Sequence, residues 1–276
     1  MFNLPQLMVG SNRYPRTGVH DALASVLSWR LWLVLGIREV NSYYQRAFIG
    51  PAWLTVHAGV WIAAVTFIFG FVIGLDESTP MYAAHVAVGI VMFHFITNIV
   101  AGSSEVFIKS RIMIHSHPNP LLIHPMRLVA SAVYEMALQL PVIIAVFMIF
   151  QTSLTPTAWL AIPGLMMNFV MGVAVALLFA LAGARFGDFR FVTLAGMRLA
   201  LFITPVFWPA DRLGPDTRFI ADANPFTHFI AIVRDPLLGE PAPMLAWITV
   251  LAWFALCAVV GGAWFASARR TIPMWV

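Results

Sequence analysis

Six apolar runs of bilayer-crossing length constrain this chain more than any other feature. They lie near residues 52–74, 81–104, 121–150, 158–182, 192–208 and 244–266. Crossing the hydrocarbon as a helix takes roughly 20 predominantly apolar residues. With no water at that depth, each backbone N–H and C=O must find its partner inside the chain, so the runs are expected to be helices. The charge inventory agrees. Only 10% of the 276 residues are charged, against about 25% in soluble chains. That is too few to cover a water-facing surface, which excludes both a soluble globule and a disordered chain. The expected fold class is an all-α membrane protein, residues 1–276 forming one transmembrane domain of six spans.

Two further segments belong to this plan. In residues 20–48 the apolar positions Ile37, Val40, Tyr44 and Phe48 recur at helical spacing, with Arg38, Glu39, Ser42, Gln45 and Arg46 on the other face. This pattern predicts an amphipathic helix lying along the bilayer surface. Residues 209–241 are too polar to span yet contain apolar pieces such as Phe229 to Val233. They read as short re-entrant helices, tolerated where protein or a water-filled cavity covers their backbone ends. Residues 1–25 hold Arg13, Arg16 and Asp21 without an uninterrupted apolar core, so no cleavable signal peptide is expected.

The bases fix the expected orientation. With the N-terminus inside, thirteen of the 16 bases fall on the inner side and only Arg212, Arg218 and Arg234 on the outer. The excess of basic residues in cytoplasmic loops then places both termini in the cytoplasm. Fifteen of those bases are arginine, and the single lysine is Lys109. Ser103 and Ser104 stand where a phosphate-binding loop ending in that lysine would need its first glycine. The chain therefore lacks a Walker-type ATPase loop. Scattered between apolar runs, the bases form no stripe for nucleic acid. Cys257, the lone cysteine, excludes an intrachain disulfide and a cysteine-cluster metal site, and reads as a small apolar filler.

On a helical wheel the first span places Trp53, His57, Trp61, Ala64, Phe67 and Phe71 on one face, and Gly59, Ala63, Thr66, Gly70 and Gly74 roughly opposite. The aromatic face reads either as lipid-facing filler or as a lining; the small face reads as a close helix contact, with Gly70 and Gly74 in G-x-x-x-G spacing. In the fifth span Thr193, Gly196, Ala200, Thr204 and Phe207 share a side, for packing or for an aqueous route. Pro205 withholds a helical donor from Leu201 and permits a bend. Arg127 and Glu135 are eight residues apart on the third span, about 12 Å, too far to pair; Arg127 is expected to meet Glu105, which also stands four residues before Lys109. His115, His117 and His124 lack an acid or cysteine to complete a metal site. No nucleophile–base spacing or acidic pair marks an enzyme.

Several segments together carry a resemblance. Arg38-Glu39-Val40-Asn41-Ser42-Tyr43-Tyr44-Gln45-Arg46 ahead of Gly50-Pro51-Ala52-Trp53, then Ile203-Thr204-Pro205-Val206-Phe207-Trp208, Asn224-Pro225-Phe226-Thr227-His228 and Val233-Arg234-Asp235-Pro236-Leu237-Leu238-Gly239, resemble ABC-2 type permeases that export lipid-linked O-antigen or capsular polysaccharide. The likeness runs from about Asp21 to Val276. It implies a homodimer in the bacterial inner membrane, two copies of a separate ATPase subunit that bind ATP and magnesium, membrane lipids as surroundings, and no cofactor in this chain. It implies a substrate path along the first and fifth spans, here Trp53, Trp61, Phe67, Phe71, Thr204, Phe207 and Trp208. It also implies an ATPase interface at Arg38, Arg46, Arg111 and the stretch Ile114, His115 and His117. A drug or small-lipid exporter of the same architecture, and a membrane-embedded glycosyl or phosphoglycosyl transferase, are the alternatives.

Overall fold

The computed structural model describes residues 18–73, 79–116, 120–210, 214 and 216–276. Its regular structure is helical: α1 (Gly18–Leu27), α2 (Trp29–Tyr43), α3 (Trp53–Ile73), α4 (Thr79–Ser103), α5 (Val106–Lys109), α6 (Arg111–Ser116), α7 (Ile123–Ile149), α8 (Ala161–Arg185), α9 (Phe189–Ile203), α10 (Phe219–Asp222), α11 (Pro225–Leu237), α12 (Met244–Ala268) and α13 (Ile272–Trp275).

Among the described residues five helices are long and apolar enough to cross a membrane: α3, α4, α7, α8 and α12. The expected fifth span, 192–208, differs. Its helix is α9, only 15 residues, about 22 Å at 1.5 Å per residue. It stops at Ile203 because Thr204 turns extended, with ψ 136°. Pro205 biases the residue before it away from helix and has no N–H to continue the ladder.

The expected surface helix over 20–48 is two helices, broken at Ser28, whose hydroxyl turns back to the Ala24 carbonyl at 2.8 Å. Its apolar stripe also sits differently. Val40 is buried against the protein itself while Trp29, Leu31 and Val34 are exposed. The reason is Gly36, where α2 crosses α7 so closely that a Cβ would stand 2.8 Å from the Arg127 carbonyl. Asp21 on α1 is fully buried and accepts from the N–H groups of Leu121 and Leu122, both at 3.2 Å. Burial pushes its carboxyl up, opposed by those two N–H groups and by the nearby Arg269 charge.

The central element is α4. It is packed on by α3, α7, α8, α9 and α11, and 67% of its apolar window is buried against 17% for α3. On α3 the buried face is Ala58, Ile62 and Val65. The small face expected to receive a neighbour does so at Gly59, where a Cβ would lie 3.9 Å from Val142 on α7, but is open at Gly70, with nothing within 4 Å; Gly74 lies outside the described residues.

Candidate functional site

The chain leaving α9 is fixed atom by atom. Trp208 donates its indole N–H to the Phe202 carbonyl at 3.2 Å. The Pro205 carbonyl accepts from Arg234 at 2.7 Å, and the Phe207 carbonyl accepts from the Tyr82 hydroxyl, also at 2.7 Å. Asn224 caps α11 by accepting from the Phe226 N–H at 3.0 Å, while its amide donates to the Thr204 hydroxyl at 2.9 Å. The Phe202, Pro205 and Phe207 carbonyls, at and beyond the broken helix end, are thus taken up, as buried backbone groups usually are. Arg234, itself buried, is neutralised by Asp235 at 3.4 Å and lies 3.2 Å from the His85 ring on α4.

This latch presses the Phe207 side chain between α3 and α9. Its ring lies 5.7 Å from Phe69, 6.4 Å from Trp61 and 6.4 Å from Phe202. Two of these contacts are edge-on, the arrangement that ring quadrupoles favour. Phe207 and Thr204 are buried, whereas Trp61 is 42% exposed. The rings form a plug that starts one turn along α3 from a cleft, since Trp61 stands four residues after the cleft residue His57.

Below the plug, toward the end of the molecule that carries α2, the cleft opens to about 710 Å³ between α2, α3, α4, α7 and α9. Its walls are polar at the depth of apolar helices. Asn98 donates to the Glu135 carboxylate at 2.6 Å. His94 lies 3.3 Å from Gln139, and its ring stacks 6.3 Å from His57. Thr97 and Ser131 also line it. Sequence reasoning singled out His57 and Glu135 but missed His94, Thr97, Asn98, Ser131 and Gln139, although the signal was present: His94 and Asn98, like Ser131, Glu135 and Gln139, sit four apart and so line one helix face. The wall is short of free cations, because Lys109 is held by Glu105 at 2.8 Å.

Residues 30–238 match the ABC-2 type transporter family. The chain belongs to the ABC-2 type transporter family. No curated protein matches the sequence. As a family member with five apolar helices of spanning length, it is a multi-pass membrane protein and the membrane component of a transporter.

The remaining expected site residues of this ABC-2 chain divide. Trp53, Phe67 and Phe71 are exposed on α3, while Trp208 is half-buried beside the plug. On the face of α9, Thr193 is buried with its hydroxyl 3.3 Å from that of Ser104, so the face packs on its own chain there; Gly196 is open. Arg38, Arg46, Arg111 and His115 are exposed at the α2 end. Ile114 is buried among Phe107, Leu121 and Ile272, where it anchors α6, and His117 lies outside the described residues. Nor is His124 on the surface: it is buried 6.3 Å from the Phe107 ring. Arg127 does not meet Glu105. Its Nε is 3.1 Å from the Glu39 carboxylate and its other arm donates to the Ser110 hydroxyl at 3.1 Å, because α2 crosses α7 at that turn. Glu105 is taken by Lys109 and by Arg190 at 3.1 Å. The hydrogen bond from Lys109 is the main reason its carboxyl is held below the usual range.

Proposed function

We propose that this chain is the conduit-forming subunit of an exporter that moves a lipid-linked polysaccharide, of O-antigen or capsule type, across the inner membrane. Two copies stand face to face with α3 and α9 toward each other, and two copies of a separate ATPase subunit dock at the cytoplasmic, α2-bearing end. ATP and magnesium belong to that subunit, which touches the exposed Arg38, Arg46, Arg111 and His115.

The observation that carries the reading is the ring plug of Trp61, Phe69, Phe202 and Phe207 above the polar cleft. Amide, imidazole and carboxylate groups in the cleft suit sugar hydroxyls. The plug then offers flat apolar faces against which the C–H faces of sugar rings pack without fixed hydrogen bonds. Conduction requires contacts strong enough to admit a chain and weak enough to release it, and stacking on rings meets that need for a repeating polymer. Residues 209–241 act as a re-entrant gate, because α11 holds the plug through Asn224 and Arg234.

The test is export in cells. Trp61→Ala and Phe207→Leu should lower surface polysaccharide while the amount of protein in the membrane is unchanged. The leucine keeps most of the buried volume, a swap that usually costs less than about 1.5 kcal/mol. Undiminished export by both variants would defeat the reading.

A further inference from the structure

A second cavity lies on the other side of α4, apart from the cleft. It encloses about 300 Å³ between α4, α8, α11 and α12, and its walls include Ile99, Met171, Val175, Phe226, Phe229 and Cys257. One polar side chain reaches it, Asn168, and that amide is already committed to the carbonyls of Gly164 and Phe229, both at 3.0 Å. A water molecule needs two to four polar partners, and apolar cavities of about 150 Å³ stay dry for want of them. The occupant must therefore be apolar. Its depth says which apolar molecule is at hand. On α12, which begins at Met244, the lining residues Trp253 and Cys257 stand about 14 and 20 Å along the helix at 1.5 Å per residue. This is the middle of a span, level with lipid tails. Trp253 is exposed on the outer surface, so the crevice opens toward the bilayer.

We propose that this crevice seats an acyl chain of a bilayer phospholipid. The chain lies against the back of α11 through Phe226 and Phe229. The same helix grips the Thr204–Pro205 segment through Asn224 and Arg234. The lipid thus braces the latch from behind, and bilayer composition reaches the ring plug through one short helix. The site stands whatever the transported molecule is, because α4 separates it from the cleft and no residue that lines one lines the other.

Photolabelling tests it. The full chain is reconstituted in phosphatidylcholine vesicles containing a phosphatidylcholine with a diazirine near the end of one acyl chain, and adducts are mapped by mass spectrometry. Adducts are expected on Met171, Phe226, Phe229 and Cys257, as well as on the exposed Leu251 and Leu256 of α12. Cys257→Phe fills the crevice and should cut labelling of Met171, Phe226 and Phe229 by about tenfold or more, the factor lost when even two methylenes are excluded from an apolar site. Labelling of Leu251 and Leu256 should not change, and Cys257→Ala should label as the native chain does at the other crevice residues. Val175→Phe, which fills the crevice from α8, gives the same answer should Cys257→Phe fail to fold. Unlabelled crevice residues in a chain labelled at Leu251 would overturn the proposal. So would labelling that neither filling variant reduces. The assay needs neither an ATPase nor a polysaccharide, so its failure is distinct from a failure of export.

Discussion

The first two spans are comparably apolar, yet α4 is buried on nearly all sides and α3 on one. The described chain covers 67% of one window and 17% of the other. Hydropathy decides that a segment crosses the bilayer; neighbours decide where in the protein it stands. Around α4 the partners are specific, with Tyr82 and His85 tied to the latch, and His94 and Asn98 to α7. Beyond Trp61, the outer face of α3 carries rings without such ties, with Phe67 and Phe71 at 78% and 85% exposure. One helix is finished within the chain. The other presents a surface for lipid or, in the proposed assembly, for a second copy.

The sharpest way to break this contrast is to cut a tie of the finished side. Arg234→Ala removes the donor to the Pro205 carbonyl and leaves the Asp235 carboxylate without its counter-charge. Loss of one partner of a buried pair costs about 3–5 kcal/mol, so the melting temperature in detergent should fall far more than for any α3 ring variant. A second cut is steric. A Cβ at Gly164 on α8 would collide with the Ile232 carbonyl of α11, so Gly164→Val should cost about 1–3 kcal/mol by overpacking, read by the same melt. On the open side, Phe67→Ala and Phe71→Ala should change detergent stability by no more than about 0.5 kcal/mol. A large loss there would mean that α3 is already packed within one chain.

The smallest effect is a pH dependence at the α2 end. Glu105 is held below the ordinary carboxylate value of 4.5 chiefly by its hydrogen bond with Lys109. It therefore adds stability above that pH, which is lost as pH falls through the lowered value. Asp21, raised from 3.8 by burial, acts in the opposite sense: its contribution is present at low pH and is lost as pH rises through the raised value. Melts across the acid range should show Glu105→Gln flattening the loss on acidification by a few tenths of a kcal/mol, the size of an exposed ion pair. A change of several kcal/mol would show that Glu105 supports more than its surface ion pairs.

Much of this was legible in the sequence. Apolar length located the five long helices, and the i,i+4 spacing gave the Glu105–Lys109 pair. The T-P-V-F-W and N-P-F-T-H segments carried the resemblance, but their physical role appeared only in three dimensions, where Asn224 of the second, with Arg234 further along α11, clasps Thr204 and Pro205 of the first. What the sequence hid were partners on other elements. Arg127 chose Glu39 over Glu105 because of the α2 crossing at Gly36, a geometry without a one-dimensional trace. The length of α9 was hidden for a different reason, since apolarity continues through Val206 and Phe207 after the helix has ended. The polar cleft was readable from four-residue spacing of amides, imidazoles and carboxylate, and was overlooked because each group stands alone in an apolar run.

The most direct test of the central claim is reconstituted transport. The purified chain is placed in liposomes with lipid-linked polysaccharide and its ATPase subunit, and the polymer reaching the far side is counted. Movement should require both the ATPase and ATP, and should fall sharply in Trp61→Ala and Phe207→Leu. Passage without the ATPase, or full ATP-driven passage in both ring variants, would contradict the account.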